Sequence, residues 1–134
     1  FFWVGGLPTA AVTDLSNSPG VKIQMIDIAH LVPVMAKKHG NIYIKDVIPK
    51  YIYKGMEADN QAATVTNLLA VHQNMDDKTA YAITKALFEN VVDLVRVHAE
   101  AVNIKLENQK AANSSIPWHP GAVKYLADRG VKIK

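Results

Sequence analysis

The chain opens with four apolar residues, Phe1 to Val4, that stop at Gly5-Gly6 and are followed by a helical pattern ending near Leu15. Such a run before a glycine turn is typical of a buried strand, and a buried strand pairs with neighbours on both sides. No residue precedes Phe1 to supply them. We therefore expect an interior strand in the C-terminal part of a longer protein.

Further strands are predicted at residues 21–26, 41–48 and 63–71, where apolar residues alternate with polar ones or form a long run. A helical pattern over residues 28–38 separates the first two, and residues 50–60 read as an exposed, extended connection. The alternation of strand and helix predicts an α/β fold with a mainly parallel sheet covered by helices.

The ends of the helix over residues 28–38 have their own signals. Asp27 suits the N-cap and Gly40 the stop. Pro33 lies late in this predicted helix and costs a backbone hydrogen bond there, so we expect a distorted start or a bend.

The clearest helix begins at Asp76 or Asp77, where acidic side chains suit the positive end of the helix dipole. Apolar residues then recur every three or four positions along one face. Asn90 marks a break between two helical pieces, and a short last helix over 121–129 ends at Gly130.

Composition restricts the possible functions. The chain is 49% hydrophobic and 20% charged with a net charge of +3, and its lysines are interleaved with acidic residues rather than forming a basic stripe. We therefore expect no nucleic-acid partner. No apolar run approaches the roughly 20 residues of a membrane-spanning helix, so we expect no direct membrane insertion. The absence of cysteine excludes disulfides and thiolate metal sites.

The best candidate for a binding site is the turn formed by Gly5, Gly6, Pro8 and Thr9. It follows a predicted strand, where α/β sheets place their ligands. Glycines allow close backbone approach, Pro8 suits a first helical turn, and free N–H groups beside the Thr9 hydroxyl can bind a carboxylate. The alternative is a tight turn without a ligand.

Catalysis and metal binding have little support. The five histidines lack the spacing of a metal site, and no serine lies in a nucleophile elbow. Acidic pairs such as Asp76-Asp77 fit helix capping. We expect no enzyme activity, no metal and no cofactor. His98 is expected at the core margin on the apolar face of the long helix, and His119 is expected to orient a turn.

Tyr51 and Tyr53 lie in the predicted connection between strands. A tyrosine has an apolar ring and a polar tip, which suits the lining of a wet cleft. Surface packing of an extended segment is the alternative, and the sequence leaves both open.

Five stretches, in order, resemble the TAXI family of TRAP-transporter solute receptors, periplasmic binding proteins also called immunogenic proteins. They cover nearly the whole chain, and the first, fourth and last carry most of the resemblance. The stretches are residues 1–15, Ile48-Pro49 with Tyr53-Lys54-Gly55, Leu68-Leu69-Ala70-Val71, Thr84-Lys85-Ala86-Leu87-Phe88-Glu89-Asn90 and Ile116-Pro117-Trp118-His119-Pro120-Gly121-Ala122.

The resemblance implies a two-lobed, type II periplasmic-binding-protein-like α/β fold, of which only the C-terminal portion is present. Residues 1–50 would complete one lobe, residues 51–64 would cross between lobes, and residues 65–134 would return to the other with the C-terminal helices. It also implies a periplasmic location, with a signal peptide upstream of Phe1.

The implied function is to bind a small organic anion, glutamate, glutamine or a related dicarboxylate, and to deliver it unchanged to the membrane subunits of a TRAP permease. Gly5, Gly6, Pro8 and Thr9 match the family's glycine-proline turn facing the cleft. Tyr53 matches its tyrosine after the Ile-Pro step.

This sequence also departs from the family pattern. Residues 50–52 replace small residues, and Thr66-Asn67 replaces a more apolar, proline-bearing stretch of the return strand. Lys50 or Asn67 would add a polar contact to the ligand if its side chain faces the cleft, and Asn67 is taken as the candidate.

Another class of protein remains an alternative: the ligand-binding domain of a cytoplasmic α/β enzyme or transcriptional regulator, which often shares this fold. An upstream signal peptide would favour the receptor, and an upstream helix-turn-helix would favour the regulator. Exposed sheet edges also make self-association of the chain plausible.

Overall fold

A computed structural model describes residues 1–133, apart from the side chain of Asn113. The chain is a mixed α/β protein whose contacts divide it into two compact units, with the boundary between Val65 and Thr66. The first unit contains the sheet, and helices are the only regular elements among the described residues of the second.

The first unit has two α-helices and two strands. Helix α1 spans Ala10–Asn17 and follows the glycine turn, as predicted. A 3-10 turn at Ala29–Leu31 leads into α2, which spans Val32–His39. The strands are β1, Tyr43–Ile48, and β2, Asn60–Val65.

The sheet is antiparallel, so the prediction of a mainly parallel sheet is wrong for the described residues. β1 and β2 pair from Tyr43 opposite Val65 to Ile48 opposite Asn60. Residues 49–59 join them through turns without a helix. A short connection of this kind reverses the chain, whereas parallel strands need a longer crossover that usually includes a helix.

Two predicted strands are absent. Residues 1–4 pair with no strand, and Phe1, Phe2 and Val4 are 81%, 105% and 89% exposed, so the prediction of a buried strand is wrong. Residues 21–26 keep a period of two in burial, with Ile23 and Met25 half-buried against the core, but they also join no ladder. An alternating pattern fixes which side chains turn inward, but a strand also needs a partner for its backbone.

The start of α2 follows from Pro33, which lies in the first turn, where its missing N–H costs nothing. The expected distortion is the preceding 3-10 turn. Asp27 is not the predicted cap, because its Oδ1 instead accepts hydrogen bonds from Asn60 Nδ2 and Gln61 N, both at 2.7 Å. Gly40 ends the helix with a φ of +81°, as expected of a helix stop.

The segment after β1 differs from its prediction in two ways. Residues 50–59 form turns rather than an exposed extended connection, and Tyr53 within them is only 2% exposed. The following strand is β2, while residues 66–71, predicted to be part of it, have no regular structure.

Three buried side chains, Val12, Ile48 and Tyr53, form the centre of the first unit's core. They come from α1, the end of β1 and the turns after it. Half-buried apolar residues surround them: Trp3, Leu7, Ile23, Met25, Ile52, Met56 and Ala62. The core therefore lies directly behind the glycine turn.

The second unit is built on three α-helices: α3 at Asp77–Glu89, α4 at Val91–Val97 and α5 at Pro120–Asp128. Short 3-10 turns at Ala99–Asn103, Leu106–Asn108 and Ala111–Asn113 connect α4 to α5. The predicted long helix, its break and the final helix are all confirmed.

The break and the caps have local causes. Asn90 leaves helical geometry with a φ of −117° and separates α3 from α4. Asp76 caps α3, because its Oδ1 accepts from Thr79 N at 2.9 Å. Hydrogen bonding from Thr79, first by its side chain and then by its backbone, lowers the pKa of Asp76.

Helices α3 and α5 pack closely. Tyr125, 2% exposed, stacks on Phe88 and meets Tyr81 edge-on, with ring centroids 5.9 and 5.4 Å apart. The His119 ring joins the two helix starts: Nδ1 accepts from Gly121 N at 3.2 Å, and Nε2 lies 3.0 Å from Met75 O. The prediction that His119 orients a turn is confirmed.

His98 is not at the core margin. It is exposed at the end of α4, where its Nδ1 accepts from Glu100 N at 3.2 Å. The helical pattern stops one residue earlier, at Val97, so the residue leaves the apolar face.

Candidate functional site

The glycine turn spans residues 5–9 and ends at Thr9, the residue before α1. Thr9 has an extended backbone, with φ −83° and ψ 123°. Pro8, which follows a cis peptide bond, therefore lies outside the helix and not in its first turn as predicted. Gly5 and Pro8 are exposed, whereas Gly6 and Thr9 are half-buried.

Both hydrogen-bond donors of Thr9 are used inside the protein. Its backbone N–H donates to Tyr53 Oη at 2.8 Å, and its hydroxyl donates to Gly6 O at 2.8 Å. The same hydroxyl oxygen accepts from Trp3 Nε1 at 3.2 Å. Thr9 therefore offers no free donor of its own, because Tyr53, 44 positions away, takes up its N–H and the nearby Gly6 carbonyl takes up its hydroxyl.

Tyr53 is the one of the two candidate tyrosines that reaches the turn. It is 2% exposed, and its oxygen accepts from Thr9 N, while Tyr51 is 81% exposed. The Tyr53 hydroxyl proton has no acceptor among residues 1–133. A tyrosine hydroxyl both donates and accepts, so this buried hydroxyl still has a proton to donate.

Two backbone donors remain beside the Tyr53 hydroxyl. The N–H groups of Ala10 and Ala11 open α1 and have no acceptor within the described part of the chain, as is usual for a first helical turn. Ala10 and Ala11 are both exposed. Together with the Tyr53 O–H, these groups can donate to the oxygens of a carboxylate near the positive end of the helix dipole.

The structure does not show the other predicted site residues, Asn67 and Lys50, in contact with this turn. Asn67 is exposed and belongs to the second unit, in the stretch without regular structure. Lys50 is exposed, and its backbone N–H donates to Asp59 Oδ1 at 2.9 Å. The structure thus unites Gly6, Thr9 and Tyr53, and leaves Asn67 as a prediction.

Trp3 is a residue of the candidate site that the sequence analysis did not identify. Its apolar neighbours placed it in a strand, whereas its indole N–H contacts the Thr9 hydroxyl. The available signal was the indole itself, because a buried or half-buried tryptophan N–H usually finds an acceptor.

A cavity of about 490 Å³ also lies within the first unit, between residues 22–27 and 55–60. At its rim Lys22 Nζ lies 2.6 Å from Glu57 Oε1. This hydrogen-bonded ion pair raises the pKa of Lys22 and lowers that of Glu57. Both side chains are exposed, so the pair contributes little to stability.

No helix among the described residues is long and apolar enough to cross a membrane. Within residues 1–133 there is also no group of three or more histidine or acidic side chains arranged to hold a metal ion.

Comparison with protein-family models gives a match to the NMT1-like family over residues 1–130. This is a periplasmic-binding-protein-like, substrate-binding family related to solute receptors, and such proteins are typically extracytoplasmic. The match includes the glycine turn, Tyr53 and the helices of the second unit. The chain therefore belongs to the NMT1-like family of binding proteins.

Proposed function

We propose that this chain is part of a TAXI-type solute receptor that binds a small organic anion, glutamate, glutamine or a related dicarboxylate, for a TRAP permease. The observation that carries the proposal is the family match over residues 1–130. The finer assignment rests on the motif resemblance, above all on residues 1–15 and 116–122.

The hydrogen-bond inventory of the turn supports an anionic ligand. Three donors without an acceptor in the described chain, the Tyr53 hydroxyl and the N–H groups of Ala10 and Ala11, belong to neighbouring residues. Thr9 lies between these donors, because its N–H donates to the Tyr53 hydroxyl and Ala10 is the next residue in the chain. Donors without a counter-charge favour a carboxylate over an ammonium group.

The proposal also gives the connecting segment a role. In the two-lobed receptor that the resemblance implies, residues 1–50 and 65–134 would belong to different lobes joined by residues 51–64, and in this structure residues 51–64 pack within the first unit. Tyr53 lies in that crossing segment and bonds to the turn of the first lobe. Asn67, in the return segment, is a further proposed ligand contact.

Calorimetry tests the proposed ligand class. The protein, produced with any sequence that flanks residues 1–134 in its gene, is titrated with glutamate, glutamine and 2-oxoglutarate. We expect saturable heat with at least one of them and none with an uncharged ester analogue. Absence of heat across a broad panel of amino acids and dicarboxylates would contradict the proposal.

Two tyrosines two residues apart provide a matched pair of variants. Tyr53→Phe removes a donor to the anion, and a hydrogen bond to a charged group is worth about 1.5–3 kcal/mol, or roughly 10- to 100-fold in affinity. Tyr51→Phe alters an exposed ring and should leave affinity unchanged. Equal effects of the two variants would exclude Tyr53 from the site.

A further inference from the structure

Trp3 is bonded to the candidate ligand turn, and the function proposed above gives it no role. Its Nε1–H donates to Thr9 Oγ1 at 3.2 Å, and Thr9 Oγ1 donates to Gly6 O at 2.8 Å. An indole nitrogen is a donor only. The direction of both hydrogen bonds is therefore fixed: the Thr9 oxygen accepts from the indole N–H, and the Thr9 hydroxyl donates to Gly6 O. We call these two hydrogen bonds the relay.

The relay is closely packed as well as hydrogen-bonded. A Cβ atom placed on Gly5 would lie 3.0 Å from Thr9 Oγ1 and 3.8 Å from Trp3 Cδ1. Trp3 itself is half-buried and packs against the core that contains Tyr53. The indole thus connects the core to the turn, and the Thr9 hydroxyl leaves little room for a side chain at Gly5.

The relay decides which donors the turn presents. While Trp3 donates to it, the Thr9 hydroxyl points its proton at Gly6 O and withholds it from a ligand. Without the indole, the hydroxyl loses one of the two hydrogen bonds that fix its orientation. The residue that follows Thr9 is Ala10, whose N–H is one of the donors left for an anion.

We propose that Trp3 is a positioning residue of the ligand turn: its indole N–H holds the Thr9 hydroxyl on the Gly6 carbonyl, and so fixes the turn that presents the anion-binding N–H groups. Trp3 acts through Thr9 and touches no ligand. This inference rests on the proposed function, because it gives the turn a ligand to bind.

Trp3→Phe removes the donor and keeps an aromatic ring. We expect it to weaken glutamate binding about 3- to 10-fold, within the range of one neutral hydrogen bond. The matched control is Trp118→Phe, because Trp118 Nε1 is buried without a partner in the described chain and lies in the second unit. Trp118→Phe should leave the affinity unchanged, and equal effects of the two variants would overturn the inference.

Variants of Thr9 separate positioning from simple packing. Thr9→Val removes the hydroxyl at nearly constant volume and should itself weaken glutamate binding, while Thr9→Ser keeps the hydroxyl and should restore it. In the Thr9→Val background, Trp3→Phe should cost nothing further; in the Thr9→Ser background it should cost as much as in the wild type. The same cost in both backgrounds would show that the indole acts by packing alone and would overturn the inference.

Urea unfolding of the same variants distinguishes this inference from the proposed function. The relay predicts that the changes in unfolding equilibrium constant for Trp3→Phe and Thr9→Val are not additive, with or without a ligand. If no anion binds but this coupling is present, the proposed function fails and the relay stands as a structural feature. If glutamate binds and the coupling is absent from both binding and unfolding, the role of Trp3 is wrong.

Discussion

Gly121→Ala tests the close packing of α3 and α5. Gly121 is buried in the first turn of α5. A Cβ atom at this position would lie 2.9 Å from the carbonyl carbon of Asp77 and 3.0 Å from Ala80 Cβ, and closer still to the Asp77 carbonyl oxygen. Two of these three atoms are backbone, so no side-chain rotation can make room.

The expected change in the free energy of unfolding for Gly121→Ala is the difference between two opposing effects. In a helix with free space, replacing glycine by alanine stabilises by about 1 kcal/mol. Forcing an extra methyl into a packed contact costs about 1–3 kcal/mol, and a backbone obstacle lies at the upper end of that range. We expect a net loss of about 2 kcal/mol, which for a small domain lowers Tm by roughly 10 °C.

The assay is urea and thermal unfolding followed by helix circular dichroism. Ala127→Gly is the control, because it makes the reverse exchange at an exposed site of the same helix and reports helix propensity alone. Adding Ala80→Gly to Gly121→Ala should not restore stability, since the Asp77 backbone remains. If Gly121→Ala is as stable as the wild type or more stable, the packing account is wrong.

Two further predictions concern the second unit. Tyr125→Phe should raise the free energy of unfolding by about 1 kcal/mol, because Tyr125 Oη is buried without a partner in the described chain; Tyr81→Phe, which removes a hydrogen bond to Asp128 Oδ2, is the control and should not stabilise in urea unfolding. Asp76→Ala should lower the unfolding midpoint at neutral pH. Because the pKa of Asp76 is lowered in the folded state, its contribution is present above the ordinary value of 3.8 and is lost as pH falls through the lowered pKa. The wild type and Asp76→Ala should therefore converge in acid, and a difference that persists there would contradict the capping role.

Features that depend on neighbouring residues in the chain were predictable. Asp76, the break at Asn90, the stop at Gly40 and the helix after the glycine turn all act within a few residues, and the structure has them where the sequence placed them. β1 was predictable for the same reason, because apolar and β-branched residues form a run bounded by Pro49.

The candidate site was only half predictable. The sequence indicated the glycine turn by its composition, and the family resemblance indicated Tyr53. The bond between Thr9 and Tyr53 joins residues 44 positions apart, and the indole of Trp3 joins the turn from a segment that was expected to be a strand. No local sequence pattern predicts which distant side chain will form a hydrogen bond with a given donor.

The sequence by itself determined the start of α3 at its Asp76 cap, the break at Asn90, the stop of α2 at Gly40 and the inward positions of residues 21–26, because capping, glycine conformation and apolar period act locally. Tertiary structure alone decided that β1 and β2 run antiparallel, that residues 21–26 form no ladder in spite of their period, and that the Thr9 N–H bonds to the Tyr53 hydroxyl. Those outcomes depend on which distant backbone and hydroxyl groups come within hydrogen-bonding distance, and this is fixed only when the core has formed.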